Sequence, residues 1–258
     1  RKVGIRPIRY RVRLLRDLTY ILGASCADGV VLIGDTRVIR GGTEHDYENK
    51  IFRPLTNVVV GASGTSGIFH KFLKKIRGIA DEKTIKGETY TPEQFIEDCE
   101  DIARKLTERY IERVRDNLEV LIGLRVGNIS ELYAVDPIGF SEPVTKFKAI
   151  GHGEPYGSIF LKQYWNPKLT MTDVAKIGYF IIRYIESFML DNSVGSPVQI
   201  WLLPDIPQNL DLNSLPDTDK RKYLYSIRTI EPTEINAIAQ STDNIHQIME
   251  FLKSFKLF

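Results

Sequence analysis

Residues 19–37 read TYILGASCADGVVLIGDTR. Two apolar runs, Tyr20–Ala24 and Val30–Ile33, flank Asp28-Gly29, a dipeptide that favours the tight turn of a β-hairpin. Further along, Leu118–Val126 and Glu131–Val135 repeat that arrangement across Gly127-Asn128. Between the two hairpins, Lys50–Phe52 and Asn57–Ala62 predict another strand pair around Pro54.

Helices separate and follow these strands. The Gly64–Gly67 turn opens one through Ile68, Phe72 and Ile76. A second follows Thr91-Pro92, with Thr91 placed to cap it and Pro92 at its first position. Its apolar residues Phe95, Ile96, Ile102, Leu106, Tyr110 and Val114 recur at helical spacing. After the second hairpin the pattern predicts helices over about Tyr156–Tyr164 and Thr172–Leu190, then a strand at Val198–Leu202. Two strand blocks, each followed by two helices, predict an α+β protein with stacked sheets rather than alternating βαβ units.

The flanks read differently. Residues 1–16 carry Arg1, Lys2, Arg6, Arg9, Arg11, Arg13 and Arg16 without one acidic residue. Pro7 interrupts the run and it holds no Ser, so it does not resemble a transit peptide. Residues 1–18 are therefore expected to form a basic arm or propeptide, and residues 19–203 the core. Residues 204–258 are expected to extend the same domain through a Pro-, Asp- and Asn-rich loop, a strand at Lys222–Thr229 and a helix from near Thr242.

The 258 residues suffice for one sizeable core, and the net charge of +2 argues against a general nucleic-acid binder. No apolar stretch is long enough to span a bilayer. Cys26 and Cys99 lie far apart, as expected of two free thiols in a reducing, cytoplasmic compartment. His45, His70, His152 and His246 are scattered, so no structural metal site is expected.

The stretch Thr19–Arg37 resembles the opening of proteasome β-type subunits, where a nucleophilic threonine starts a strand and a DGVVLA-D-R segment closes the hairpin. Lys50-Ile51, Ser63-Gly64, Leu132–Gly139 (LYAVDPIG), Ala149–Gly153 (AIGHG), Leu190-Asp191 and Gly195 resemble later landmarks of that family in the same order. The likeness runs from about Thr19 to Leu203, and order and spacing make it specific where single motifs are not. It implies the four-layer αββα sandwich of N-terminal-nucleophile hydrolases, assembly with other such subunits into a ring, and peptides or unfolded polypeptides as substrates.

The resemblance also implies a catalytic set: Thr19, Asp35, Arg37, Lys50, Gly64 and Asp191. A threonine hydroxyl needs a base, and a chain-terminal threonine carries one, since an α-amine titrates at about 7.7–8.0. The Lys50 ammonium would make amine and hydroxyl more acidic, and Asp35 would hold it charged and oriented, with Arg37 alongside. The Gly64 N–H would donate to the oxyanion, and Asp191 would support the amine. Nucleophile and base then lie on one residue, and no cofactor is implied.

Three departures from the family pattern oppose that activity. Leu18 stands where self-processing members carry glycine, and its bulk hinders the turn that lets Thr19 attack the preceding carbonyl. His152 stands at the position of a family serine. Val194 replaces a second serine, with Ser193 beside it. A threonine peptidase exposed by removal of residues 1–18 is thus one reading, and a catalytically silent, partner-binding subunit is the other. A non-peptidase amidase or transferase on the same fold is a third.

Overall fold

The computed structural model describes residues 19–40, 44–64, 66–88, 90–110, 118–188 and 193–240, the last stretch with gaps at 209, 211–214, 217, 219–220, 222, 224–225 and 232. The basic arm, Val114, Leu190, Asp191 and the chain beyond residue 240 lie outside these described residues.

The opening stretch folds as a hairpin of β1 (Ile21–Cys26) and β2 (Gly29–Asp35). Cys26 pairs with Gly29, so the two-residue loop is Ala27-Asp28, one residue earlier than expected. Gly29 starts β2 with φ of 144°, and a Cβ there would collide with the Leu203 carbonyl. Strand β11 (Val198–Pro204) pairs with the other edge of β2, and β10 (Phe147–Ile150) pairs with β1. With β12 (Arg228–Thr229), the first sheet has the order β10-β1-β2-β11-β12.

The second sheet has the order β5-β6-β7-β8-β9, from β5 (Ile51–Leu55), β6 (Val58–Ser63), β7 (Glu119–Val126), β8 (Ile129–Val135) and β9 (Ser141–Pro143). Pro54 is tolerated because β5 is an edge strand whose register slips between Phe52 and Leu55. A separate ribbon of β3 (Arg37–Arg40) and β4 (Glu44–Tyr47) joins the sheets, and its sequence, with only Val38-Ile39 side by side in β3, gave no alternating strand signal.

Alternation along the strands builds four layers. Val30 and Leu32 of β2 face Val59 and Leu121 of the opposite sheet, while Val31 and Ile33 face outward to helices. Gly61 and Gly123 also lie between the sheets. A Cβ on Gly61 would come within 3.1 Å of Ile21, and one on Gly123 within 3.0 Å of Leu32. Missing side chains at these places let the two sheets approach.

Helices α1 (Ser66–Lys86) and α2 (Pro92–Tyr110) cover the second sheet, with Phe72, Ile76, Phe95 and Leu106 buried against Val60, Val120 and Ile122. Thr91 caps α2, its hydroxyl accepting from the Gln94 N–H at 3.3 Å. Helices α3 (Glu154–Tyr164) and α4 (Met171–Ser187) cover the first sheet. The α4 cap is reciprocal: Thr170 Oγ1 accepts from Asp173 N at 3.2 Å, and Asp173 Oδ2 accepts from Thr170 N at 3.0 Å. The result is the expected α+β, four-layer αββα sandwich.

The C-terminal extension departs from expectation. The proposed strand over Lys222–Thr229 shrinks to the two residues of β12, and the described residues Thr218, Arg221 and Tyr223 are helical. Arg125 of β7 explains the turn between them. Its guanidinium donates to Tyr223 O at 2.7 Å and Ser226 Oγ at 2.8 Å, pulling the chain inward before it reaches β11. Residues 233–240 form an unexpected helix (α5), and the helix expected from near Thr242 lies outside the described residues.

Candidate active site

The site forms at the open end of the β1–β2 hairpin. Asp35, last residue of β2, is fully buried, and both its oxygens face donors. Oδ1 accepts from Tyr20 N at 2.9 Å and from Lys50 Nζ at 3.0 Å. Oδ2 accepts from Lys50 Nζ at 2.9 Å and from Arg37 N at 3.1 Å. Lys50, just ahead of β5 and 5% exposed, spends a further hydrogen on Arg37 O at 2.7 Å. Burial pushes the Asp35 carboxyl up from its usual range, opposed by the Lys50 charge and by N–H donation from Tyr20 and Gly195.

One oxygen of Asp35 therefore receives both the Lys50 ammonium and the amide that follows Thr19. Thr19 itself is 4% exposed and is gripped from its other side. Its carbonyl accepts from Gly153 N at 3.2 Å. Gly151, in the same turn, has φ of 88°, and a Cβ there would collide with the Thr19 carbonyl and come within 2.8 Å of Ser63 Oγ. The Glu119 carboxylate anchors this turn by accepting from Gly151 N at 3.2 Å.

The remaining expected residues distribute unevenly. Gly64 closes β6 with φ of 133°, a left-handed conformation at the junction with α1. His152 lies within the 151–153 turn, partly buried. Ser193 is fully buried beside Val194, whose side chain packs wholly into the core around α4. Asp191 is outside the described residues. Asp35, Arg37, Lys50 and the backbone around Thr19 are thus brought together, and Glu119, Gly151 and the Gly195 N–H join them.

Glu119 carried no signal in sequence, because a carboxylate at a strand start is ordinary. Glu186 was equally silent in composition but not in position. It stands in the last turn of α4, where the helix dipole disfavours negative charge and the last turn itself holds no basic residue, although Arg183 pairs with it from one turn back. That position points to a further partner outside the helix, and one such partner is Arg37.

Neither cysteine competes as nucleophile. Burial and the nearby Asp28, Asp173 and Asp205 push the Cys26 thiol up to about 12, and burial raises Cys99 well above its usual value. Among the described residues no group of His, Cys, Asp and Glu side chains is placed to hold a metal ion. No described helix is long and apolar enough to cross a membrane.

An αββα sandwich with a threonine just ahead of its first strand and a buried lysine–aspartate pair behind it is the arrangement of the N-terminal-nucleophile fold class. The family model for the proteasome subunit matches residues 19–200, and the chain belongs to that family. No curated protein sequence matches it significantly. Among solved structures it is similar to Anbu from Hyphomicrobium sp. strain MC1, with a TM-score of 0.65 and 17% identity over 90% of this chain and 97% of that one. The Anbu (Gly-1) mutant from the same strain gives a TM-score of 0.67 and 15% identity, over 90% and 96%. At these identities the likeness concerns the fold. Proteasome-like family members typically form oligomeric rings.

Proposed function

We propose that the chain is a threonine peptidase of the N-terminal-nucleophile type, working in the cytoplasm within a ring of proteasome-like subunits on peptides and unfolded polypeptides. The observation that carries this reading is the shared Asp35 oxygen, which couples the Lys50 ammonium to the backbone at Thr19. Once the Leu18–Thr19 bond is cut, the new α-amine takes the proton of Thr19 Oγ as that oxygen attacks a substrate carbonyl. The Gly64 N–H stabilises the oxyanion, and Asp191 supports the amine. The amine returns its proton to the leaving nitrogen, and water then hydrolyses the Thr19 ester.

The test is the intact mass and N-terminal sequence of the assembled protein, followed by reaction with a threonine-directed electrophile. The expected result is a chain beginning at Thr19 that gains one adduct on that residue. Protein that keeps residues 1–18 and stays unlabelled sinks the peptidase reading.

A second reading, a silent subunit that shapes the assembly or binds a partner, has its own support. Val194, where the family carries a serine, is buried in the α4 core and offers no hydroxyl. Leu18 and His152 point the same way. This reading expects the uncut chain.

A further inference from the structure

Asp35 and Lys50 are held by two backbone segments that are distant in sequence. Arg37 gives its N–H to Asp35 Oδ2 and its carbonyl to Lys50 Nζ. Gly195 also gives its N–H to Asp35. The β2–β11 ladder joins these segments where Asp35 pairs with Val198 and Thr36 N donates to Pro197 O at 3.1 Å. Arg37 and Gly195-Ser196 lie beyond that last backbone bond, where a side-chain connection is left to tie them.

Glu186 of α4 makes that connection. Its Oε1 accepts from the Arg37 guanidinium and from Ser196 N at 3.3 Å. Its Oε2 accepts from Ser196 Oγ at 2.7 Å and from the Arg183 guanidinium. Arg37 reaches further, to the Val194 carbonyl at 3.5 Å, and its guanidinium fills the space where Gly195 would carry a Cβ. The carboxylate is 18% exposed, which shields the pair from much of the screening of a surface ion pair. Burial pushes Glu186 up, but Ser196, Arg183 and Arg37 outweigh it and hold the carboxyl below its usual range.

We propose that Glu186 is a positioning residue for the Thr19 site, clamping Arg37 to the Gly195-Ser196 segment so that Asp35 and Lys50 keep their geometry. The proposal rests on the peptidase reading for its effect on turnover, but not for its effect on structure. The helix dipole separates the clamp from an ordinary stabilising role. At the end of α4 a negative charge is unfavourable toward the dipole and is offset by the i,i+3 pair with Arg183, so removing it should leave the helix about as stable while loosening the clamp.

The experiment uses the full assembled chain with Glu186→Gln and Glu186→Asp. Hydrogen-exchange mass spectrometry follows residues 35–40 and 193–198, with residues 174–182 of α4 as the folding control. Peptide hydrolysis is measured alongside. The expected result for Glu186→Gln is faster exchange at both segments, an unchanged control, and kcat lower by about tenfold with KM within about twofold. Glu186→Asp should recover part of both losses. Unchanged exchange at 193–198 overturns the proposal, whatever the activity. So does a loss that appears equally in KM, or one accompanied by loosening of α4. If the wild-type chain neither cleaves peptides nor takes the electrophile, the peptidase reading falls and the exchange result alone decides the clamp.

Discussion

The β1–β2 and β7–β8 hairpins are near equivalents with unequal contents. Each lies inside its own five-stranded sheet, turns through two residues, and packs one face on the other sheet and one on helices. At the turn ends they are tied together: Asp205 N donates to Asp28 O, Ile206 N donates to Asn128 O, and Ser130 N donates to Asp205 Oδ1. At the open ends they diverge. The first hairpin ends on Asp35, fully buried with Lys50, whereas the second starts on Glu119, a partly buried carboxylate holding one backbone N–H. The architecture asks only for apolar alternation, which both supply. The buried charge is an addition that the fold itself does not need.

The largest expected effect tests that addition directly. Lys50→Met strands the Asp35 carboxyl and should cost about 3–5 kcal/mol in urea unfolding, whereas Glu119→Ala should cost about 1 kcal/mol. Equal losses would dissolve the distinction between the hairpins. Next comes packing between them. Gly123→Ala places a methyl within 3.0 Å of Leu32 and 3.1 Å of Val30, and about 1–2 kcal/mol should be lost as the sheets part. A neutral result would mean that the spacing is set elsewhere.

Smaller effects concern the helix that packs on the first hairpin. Asp28 Oδ1 accepts from Met171 N at 2.7 Å, so the turn of that hairpin and the start of α4 are joined. Thr170→Ala should cost about 1 kcal/mol by removing the reciprocal cap. The smallest effect is its pH dependence. The Thr170 hydroxyl and N–H hold the Asp173 carboxyl below its usual value. A depressed carboxylate stabilises the fold above its unfolded value of about 3.9, and that contribution is lost as pH falls through the lower folded value. The gap between wild type and Thr170→Ala should therefore narrow between pH 5 and about pH 2. A gap that widens with acid would reverse the assignment.

Most of the architecture was legible because local chemistry and global fold agree. Gly127-Asn128, the alternation around Gly29, and Thr91-Pro92 each state a turn or a cap in two or three residues. The β3–β4 ribbon was not legible, since β3 offers only the adjacent pair Val38-Ile39, without alternation, and β4 is polar but for Tyr47. The segment Lys222–Thr229 misled for the opposite reason: Tyr223, Tyr225 and Ile227 alternate like a strand. Its course is instead decided by Arg125, far away in sequence, which takes the Tyr223 carbonyl before pairing can begin. The site followed the same division. Asp35 and Lys50 are unremarkable acid and base letters until a resemblance pairs them, and the contact of Glu186 with Arg37 spans 149 positions. Spacing alone cannot report such a contact.

The bond from the Tyr20 N–H to Asp35 bears on what the proposed cut ahead of Thr19 would leave behind. New termini ordinarily fray, because the first residues lack anything to hold them. Here the anchoring begins one residue in, on an amide that peptide cleavage leaves untouched, and the Thr19 carbonyl is held in turn by Gly153. Cutting ahead of Thr19 would release a leader without releasing the strand. The freed end would be ordered at birth, with almost no conformational entropy left to lose before it meets a substrate.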